Sequence, residues 1–294
     1  MFQRSLICTD FSDGLQRLVN FIPSLKASGM KQVVFCHNAP LLKEREIPCV
    51  DDEKVEWARD RLAVALQYAS SEIDIKIEVP SGRQIDNILN LAKTYQTEII
   101  LLGMPNRSLL NERLFGSTTM GLSQRTTTPL LTLRPQLISA YTTEELDLRC
   151  RHLFRYLLIP YDGSNAANYL VEQIKQYAQR RDSRSLERCL LCWVIDEGGR
   201  KELQATENLT QTAQEKLAQV QAELEQLDIE VKTELKTGDP LTSILKAAEI
   251  YDITAIATSS ESLGRLMEWS IPSFTGKILR RSWHPVIYFP PSRT

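Results

Sequence analysis

Two kinds of segment alternate along the chain. Short, nearly unbroken apolar runs such as "SLICTD", "EIILLG" and "YLLIPY" are separated by longer stretches in which apolar residues recur every three or four positions. An unbroken apolar run suits a strand buried on both faces of a parallel sheet, and the three-to-four spacing suits an amphipathic helix. The first half therefore predicts strands near 3–9, 32–38, 73–79, 98–103 and 130–134, with helices near 13–28, 52–71, 83–95 and 116–125. The second half predicts strands near 155–161, 186–195, 228–235, 253–258 and 285–289, with helices near 164–181, 201–227, 240–250 and 273–282. In the helix at 201–227, Leu203, Leu209, Ala213, Leu217, Val220, Leu224 and Leu227 form one stripe, which reads as the face that covers the sheet.

The pattern is written twice. "VPSGRQIDNILNLAKTYQTEIILLG" (79–103) matches "LKTGDPLTSILKAAEIYDITAIATS" (235–259) without a gap at a shift of 156, and "TTTPLLTLRP" matches "RSWHPVIYFP" at the same shift. The first strands, "SLICTDFSDG" and "YLLIPYDGSN", need a shift of 152 and end at Asp10 and Asp162. Strand–helix alternation in a repeated unit predicts an α/β fold. It consists of two tandem doubly wound, five-stranded parallel-sheet domains, Rossmann-like, with strand order 3-2-1-4-5. The domains are expected at 1–138 and 150–294, with a polar connector at 136–151. The final strands, each closed by a proline, are the expected pairing edges of a pseudo-dimer.

Charge and composition remove several classes. Lys+Arg is 35 and Asp+Glu is 37, a balance that gives no broad electrostatic attraction for nucleic acid. No apolar run approaches the roughly 18 residues needed to cross a bilayer, so no membrane partner is expected. The N-terminal stretch reads as a strand rather than as a secretion signal, and the expected location is cytoplasmic. Cys8, Cys36, Cys189 and Cys192 lie in apolar strand-like runs and are expected to pack in the core. The spacing Cys189-Leu-Leu-Cys192 resembles a redox or zinc motif. On a strand, however, it points the two sulfurs to opposite faces. With three histidines and none at ligand spacing, no metal site is expected.

The candidate chemistry lies in "LLGMPNRSLLNERLFGSTTMG" (101–121). In an open parallel sheet, ligands bind beyond the carboxyl ends of the strands, where strand order reverses. Asp10 ends the first strand and Leu102-Gly103 the fourth, so both flank that point. Asp10 can accept hydrogen bonds from ribose or adenine, and Gly103 permits a sharp turn. Gly116-Ser117-Thr118 opens the next helix, where free N–H groups favour an anion. Arg107 or Arg113 would add positive charge.

This arrangement resembles the universal stress protein family over nearly all of both halves. The family's nucleotide loop reads Gly, two residues, Gly, nine residues, Gly, then Ser or Thr. Here Gly103, Asn106, Gly116 and Ser117 stand at those places, with Asn106 in place of the second glycine. Asn tolerates positive φ best among the non-glycine residues, but adds bulk beside a phosphate. "CTDFS" at 8–12 resembles the family's first strand end, and the resemblance places adenine at Cys36-His37-Asn38, against the backbone of Asn38. As a lone carboxylate, Asp10 could hold an accessory Mg²⁺ through water. The resemblance implies ATP or another adenine nucleotide. It also implies a stress-linked regulatory role, a protein partner of unknown identity and a homodimer.

In the second half the same loop positions are Ser259, Ser262, Pro272 and Ser273. Pro272 removes a backbone N–H, and Glu261 and Glu268 oppose phosphate. Asp162, Ser259, Ser260 and Ser273 remain as polar groups, while Asp162-Gly163-Ser164 also reads as a helix cap. The expectation is a nucleotide-binding first half and a degenerate, structural second half. Two alternatives stay open. One is a slow ATPase or autophosphorylating protein, for which no Walker loop or loop histidine is present. The other is an interaction scaffold without nucleotide.

Overall fold

The computed structural model describes residues 1–42, 49–104, 117–181, 185–196, 203–260 and 273–291, with the side chains of 137 and 203–207 excepted. The chain divides into two compact units, Phe2–Arg151 and His152–Thr294.

In the first unit, β1 (Arg4–Cys8) leads through a short 3-10 helix (Leu15–Asn20) into α1 (Ile22–Ala27) and β2 (Gln32–Cys36). A small antiparallel pair follows, β3 (Leu41–Leu42) with β4 (Cys49–Val50). Then come α2 (Asp52–Ala63), β5 (Asp74–Glu78), α3 (Gln84–Thr94), β6 (Ile99–Gly103), α4 (Ser117–Ser123), β7 (Leu130–Leu133), α5 (Pro135–Ala140) and α6 (Thr143–Arg151). The main sheet is parallel throughout, in the order β5-β2-β1-β6-β7. With the β3–β4 pair set aside, this is the expected order. Leu6, Ile7, Val33, Val34, Phe35, Ile100 and Leu101 are fully buried, as strands covered on both faces require.

Three segments differ from the sequence expectation. The helix expected at 13–28 breaks at Phe21, because Pro23 has no N–H to offer a continuous helix and sits in the first turn of α1 instead. The helix expected at 52–71 is α-helical only to Ala63 and tightens into a 3-10 helix at Val64–Tyr68. The polar connector is helical, as α5 and α6. It is tied to the first unit by Arg17, which donates to the carbonyls of Ile138 and Tyr141, and by the Ser24 hydroxyl on the Asp147 carboxylate.

The second unit repeats the plan. It contains β8 (Tyr156–Pro160), α7 (Asn165–Gln179), β9 (Arg188–Ile195), α8 (Leu203–Glu225), β10 (Glu230–Thr237), α9 (Pro240–Ile250), β11 (Ala255–Ser259), α10 (Phe274–Arg281) and β12 (Val286–Phe289). Its parallel order is β10-β9-β8-β11-β12. On α8, Ala213, Leu217, Val220 and Leu224 are buried as the stripe requires, whereas Leu209 is 38% exposed. Cys189 and Cys192 are both buried in β9, where burial holds each thiol up at about 12, far from the thiolate that redox or metal chemistry needs.

Helices α7, α9 and α10 each begin with a side-chain cap, from Ser164, Asp239 and Ser273. Ser164 Oγ accepts from the Ala167 N–H at 3.2 Å, satisfying a donor that the first turn of α7 would otherwise leave open. Ser164→Ala should therefore destabilise the second unit by about 1 kcal/mol, read as a lower midpoint in urea denaturation at unchanged slope.

Candidate functional site

The register of β1 sets the site. Cys8 stands opposite Cys36 of β2 on one side and Leu102 of β6 on the other. Residues just beyond these three are therefore level with one another at the carboxyl end of the sheet: Asp10 after β1, Asn38 after β2 and Gly103 at the end of β6. The strand order reverses between β1 and β6, the place where open sheets bind ligands.

The turn after β1 is held by its own side chains. Asp10 Oδ1 accepts from the Ser12 N–H at 2.8 Å and the Ser12 hydroxyl at 2.7 Å, leaving the carboxylate exposed. Phe11 takes a left-handed φ of 63°, and its N–H donates to Thr9 Oγ1 at 3.0 Å. The Phe11 ring packs beside His37 at a centroid distance of 4.6 Å and edge-on to Trp57 at 4.9 Å, with the Arg61 guanidinium over both rings. This gives an aromatic wall next to Asp10. His37 Nδ1 lies 3.0 Å from the Thr9 carbonyl oxygen, which fixes the ring.

Asp13 was not singled out from the sequence, yet it is the pivot of this turn. It is buried, accepting from Thr9 Oγ1 at 2.7 Å and from the Leu15 N–H at 2.9 Å. Its side chain also fills the space in front of Gly103. A Cβ on Gly103 would overlap Asp13 Cβ outright and stand 2.8 Å from its carboxyl carbon. Gly103 is thus required by close packing as well as by any ligand. The only sequence signal for Asp13 is the second acid in "TDFSDG". Burial raises the Asp13 carboxyl above its usual range, helped by the nearby Asp10 charge. The hydrogen bonds from Thr9 and Leu15 pull it the other way.

Asn38 is held by its side chain. Its amide donates to the Gly82 carbonyl at 3.1 Å, and its Oδ1 accepts from Asn87 of α3 at 2.7 Å. The main-chain N–H and C=O of Asn38 have no partner among the described residues. Leu102 is buried within β6 and paired in register with Cys8 and Thr132, so its side chain belongs to the core. Ser117 is exposed at the start of α4, and the Thr118 hydroxyl bonds Gln84 Oε1 at 3.1 Å. Asn106, Arg107 and Gly116 lie outside the described residues, as does Arg113.

Two expectations follow from the Asp13–Gly103 contact. Gly103→Ala should cost about 1–3 kcal/mol of stability, the usual range for overpacking a filled site, seen as a lowered denaturation midpoint. The second concerns pH. A carboxyl whose folded pKa is raised lends its full stability below the unfolded carboxyl range, and loses it as pH rises through the folded value. Asp13→Asn has no such loss. Its stability relative to the parent protein should therefore increase between pH 4 and pH 7, measured by urea denaturation across that range.

The sequence and fold have known relatives. A sequence model of the Universal stress protein family matches residues 1–134 and again residues 154–290. Universal stress protein MJ0577 of Methanocaldococcus jannaschii is 26% identical over 156 residues, covering 46% of this chain and 94% of that protein. A universal stress protein from Archaeoglobus fulgidus has the same fold along 97% of both chains, at 21% identity and a TM-score of 0.67. A universal stress protein solved in complex with cAMP covers 46% of this chain at 14% identity, with a TM-score of 0.33. One family match falls in each compact unit, the first stopping short of α5 and α6, and the chain belongs to the universal stress protein family in a tandem, two-domain form.

Proposed function

We propose that the first unit binds an adenine nucleotide, ATP foremost, at the crevice between β1 and β6, and that the protein acts as a nucleotide-responsive regulator rather than by turnover. One observation carries this reading. An exposed carboxylate at Asp10, an unpaired main-chain donor and acceptor at Asn38, and the side-chain-free strand end at Gly103 stand level at the switch point of one parallel sheet. A ribose hydroxyl can donate to Asp10. An adenine edge presents one donor beside one acceptor, which suits the free N–H and C=O of a single extended residue such as Asn38. The Phe11–His37 wall supplies an apolar flank for a flat base.

The phosphates would extend past Gly103 toward Ser117, whose exposed hydroxyl offers a donor. A divalent cation would find, among the described residues, one exposed carboxylate here, Asp10, already accepting two hydrogen bonds from Ser12. That donor set suits an outer-sphere, water-mediated ion accompanying the phosphates rather than a resident metal. The second acid of the turn, Asp13, is buried against Gly103 and committed to hydrogen bonds with Thr9 and Leu15.

The test is titration calorimetry of the full chain with ATP, together with analysis of small molecules released on denaturing freshly purified protein. The expected result is about one equivalent of nucleotide per chain, with affinity reduced about tenfold or more by Asp10→Ala, the loss appropriate to a hydrogen bond to a charged group. Unchanged affinity in that variant, or no binding by the parent protein, would refute the reading.

A further inference from the structure

The second unit carries a cavity of about 390 Å³ at the carboxyl ends of β8, β9 and β11, within the size range of small-molecule sites. It stands where the first unit has its proposed nucleotide crevice. Its walls have exchanged side chains in both directions: Leu102, Gly103 and Met104 give way to Thr258, Ser259 and Ser260, while three polar positions turn apolar. At the shift of 156, Asn38 becomes Val194, Gln84 becomes Pro240 and Thr118 becomes Phe274, and all three replacements line the cavity. Leu170, Cys192 and Ile244 complete an apolar lining.

The polar groups that remain are mostly committed elsewhere. Thr258 and Thr275 share a hydrogen bond of 2.9 Å, and Thr275 also donates to the Ser259 carbonyl at 2.6 Å. Ser259 donates to the Phe289 carbonyl at 2.8 Å, and Ser260 pairs with the Tyr288 hydroxyl at 2.8 Å. Ser164 and Ser273 accept from the first turns of α7 and α10, using up N–H groups that would otherwise face an anion. Pro240 opens α9 without an N–H at all. No Lys, Arg or His is among the described lining residues, and the charged group among them is Asp162, exposed at the rim with Oδ1 accepting from the Ser164 N–H at 2.9 Å; the Lys216 ammonium stands beside the adjoining Gly163.

An anion entering this cavity would exchange its water for a largely apolar wall, and among the described residues the charges at its rim, the Asp162 carboxylate and the Lys216 ammonium beside Gly163, oppose one another, so the several kcal/mol of lost hydration has no net charge to offset it. We infer that the second unit's cavity is a binding site for an uncharged, largely apolar ring compound bearing a hydroxyl or similar donor, the ring lying against Val194, Ile244 and Phe274 and the donor directed to Asp162. It is a second ligand site of different chemistry from the one proposed for the first unit, and it excludes phosphate esters.

Equilibrium dialysis of the full chain against 2-naphthol and, separately, 2-naphthyl phosphate tests this with one ring in two charge states. The expected result is saturable binding of one 2-naphthol per chain, unaffected by excess ATP, with the phosphate ester at least about tenfold weaker. The double substitution Val194→Asn, Phe274→Thr, which restores the first half's polar residues, should reduce 2-naphthol binding about tenfold while leaving the thermal transition cooperative. Absence of saturable 2-naphthol binding, equal or tighter binding of the phosphate ester, displacement by ATP, or unchanged binding in the folded double variant would each overturn the inference. Should that variant fail to fold, the comparison of the two ring compounds on the parent protein decides the matter alone.

Discussion

In the first unit, Cys8 is paired in register with Cys36 on one side and Leu102 on the other, and the geometry of the carboxyl end follows from that double pairing. Because the central strand is fixed from both sides, the residues that leave the sheet there have no freedom to slip along it. A one-residue slip would turn every buried side chain of the strand to the other face. The turn Thr9–Gly14 must then fold back over the end of β6 in a small space. It does so with Asp13 tucked against Gly103 and bonded to Thr9 and Leu15, and with Phe11 in a left-handed conformation. Asp10 is consequently turned outward, its carboxylate exposed, while Asp13 is turned inward. The two acids in one turn have opposite environments for one mechanical reason.

Much of this architecture was legible in the sequence because it rests on periodicity. All ten main strands lie at the expected places, eight of them on apolar runs and the edge strands β5 and β10 on alternating sequence, and the repeat at a shift of 156 is a repeat of structure, down to turn glycines Gly82 and Gly238 with φ of 100° and 127°. What the pattern did not reveal depends on contacts distant in sequence. The helical form of the connector was hidden because α6 is polar on most of its surface, and only Leu146 and Cys150 are buried there. Its place is fixed by Ser24 and Arg17, more than a hundred residues earlier. The break at Phe21 was readable from Pro23 and went unread, since the apolar spacing continues straight through it.

The candidate site was legible to the same degree and for the same reason. Asp10 and Gly103 follow from strand ends and turn chemistry, whereas Asn38 came only from the resemblance to the family. Asp13 could not be inferred, because its role exists only where the ends of β1 and β6 meet. Gly103 shows the difference in kind. Its spacing to Gly116 suggested a phosphate loop, whereas the neighbouring structure demands a glycine there even with no phosphate at all, since Asp13 occupies the volume of any side chain.

That distinction changes how the second half should be understood. By the shift of 152, the residue at the place of Asp13 is Asn165, and it does not fold back over the strand end; it begins α7 directly, behind the Ser164 cap. A helix of 15 residues thus replaces the split helix of the first half. With Asn165 in α7 rather than folded back as Asp13 is, the contact that demands glycine at position 103 has no counterpart among the described residues, and Ser259 stands there with its hydroxyl bonded across to the Phe289 carbonyl. The loss of that glycine is therefore a consequence of how the first turn was rebuilt, and is not by itself a mark of decay in a binding loop. The same rebuilding leaves space at the carboxyl end, since helix α7 starts early instead of crossing the crevice. An enlarged crevice whose side chains had merely drifted would collect unpaired polar groups, because each would be free to change independently. Here the hydroxyls that replace Leu102, Gly103 and Met104 are each paired, Ser164 and Ser273 serve as helix caps, and the positions of Asn38, Gln84 and Thr118 are apolar, a combination that a shaped cavity requires and drift does not supply.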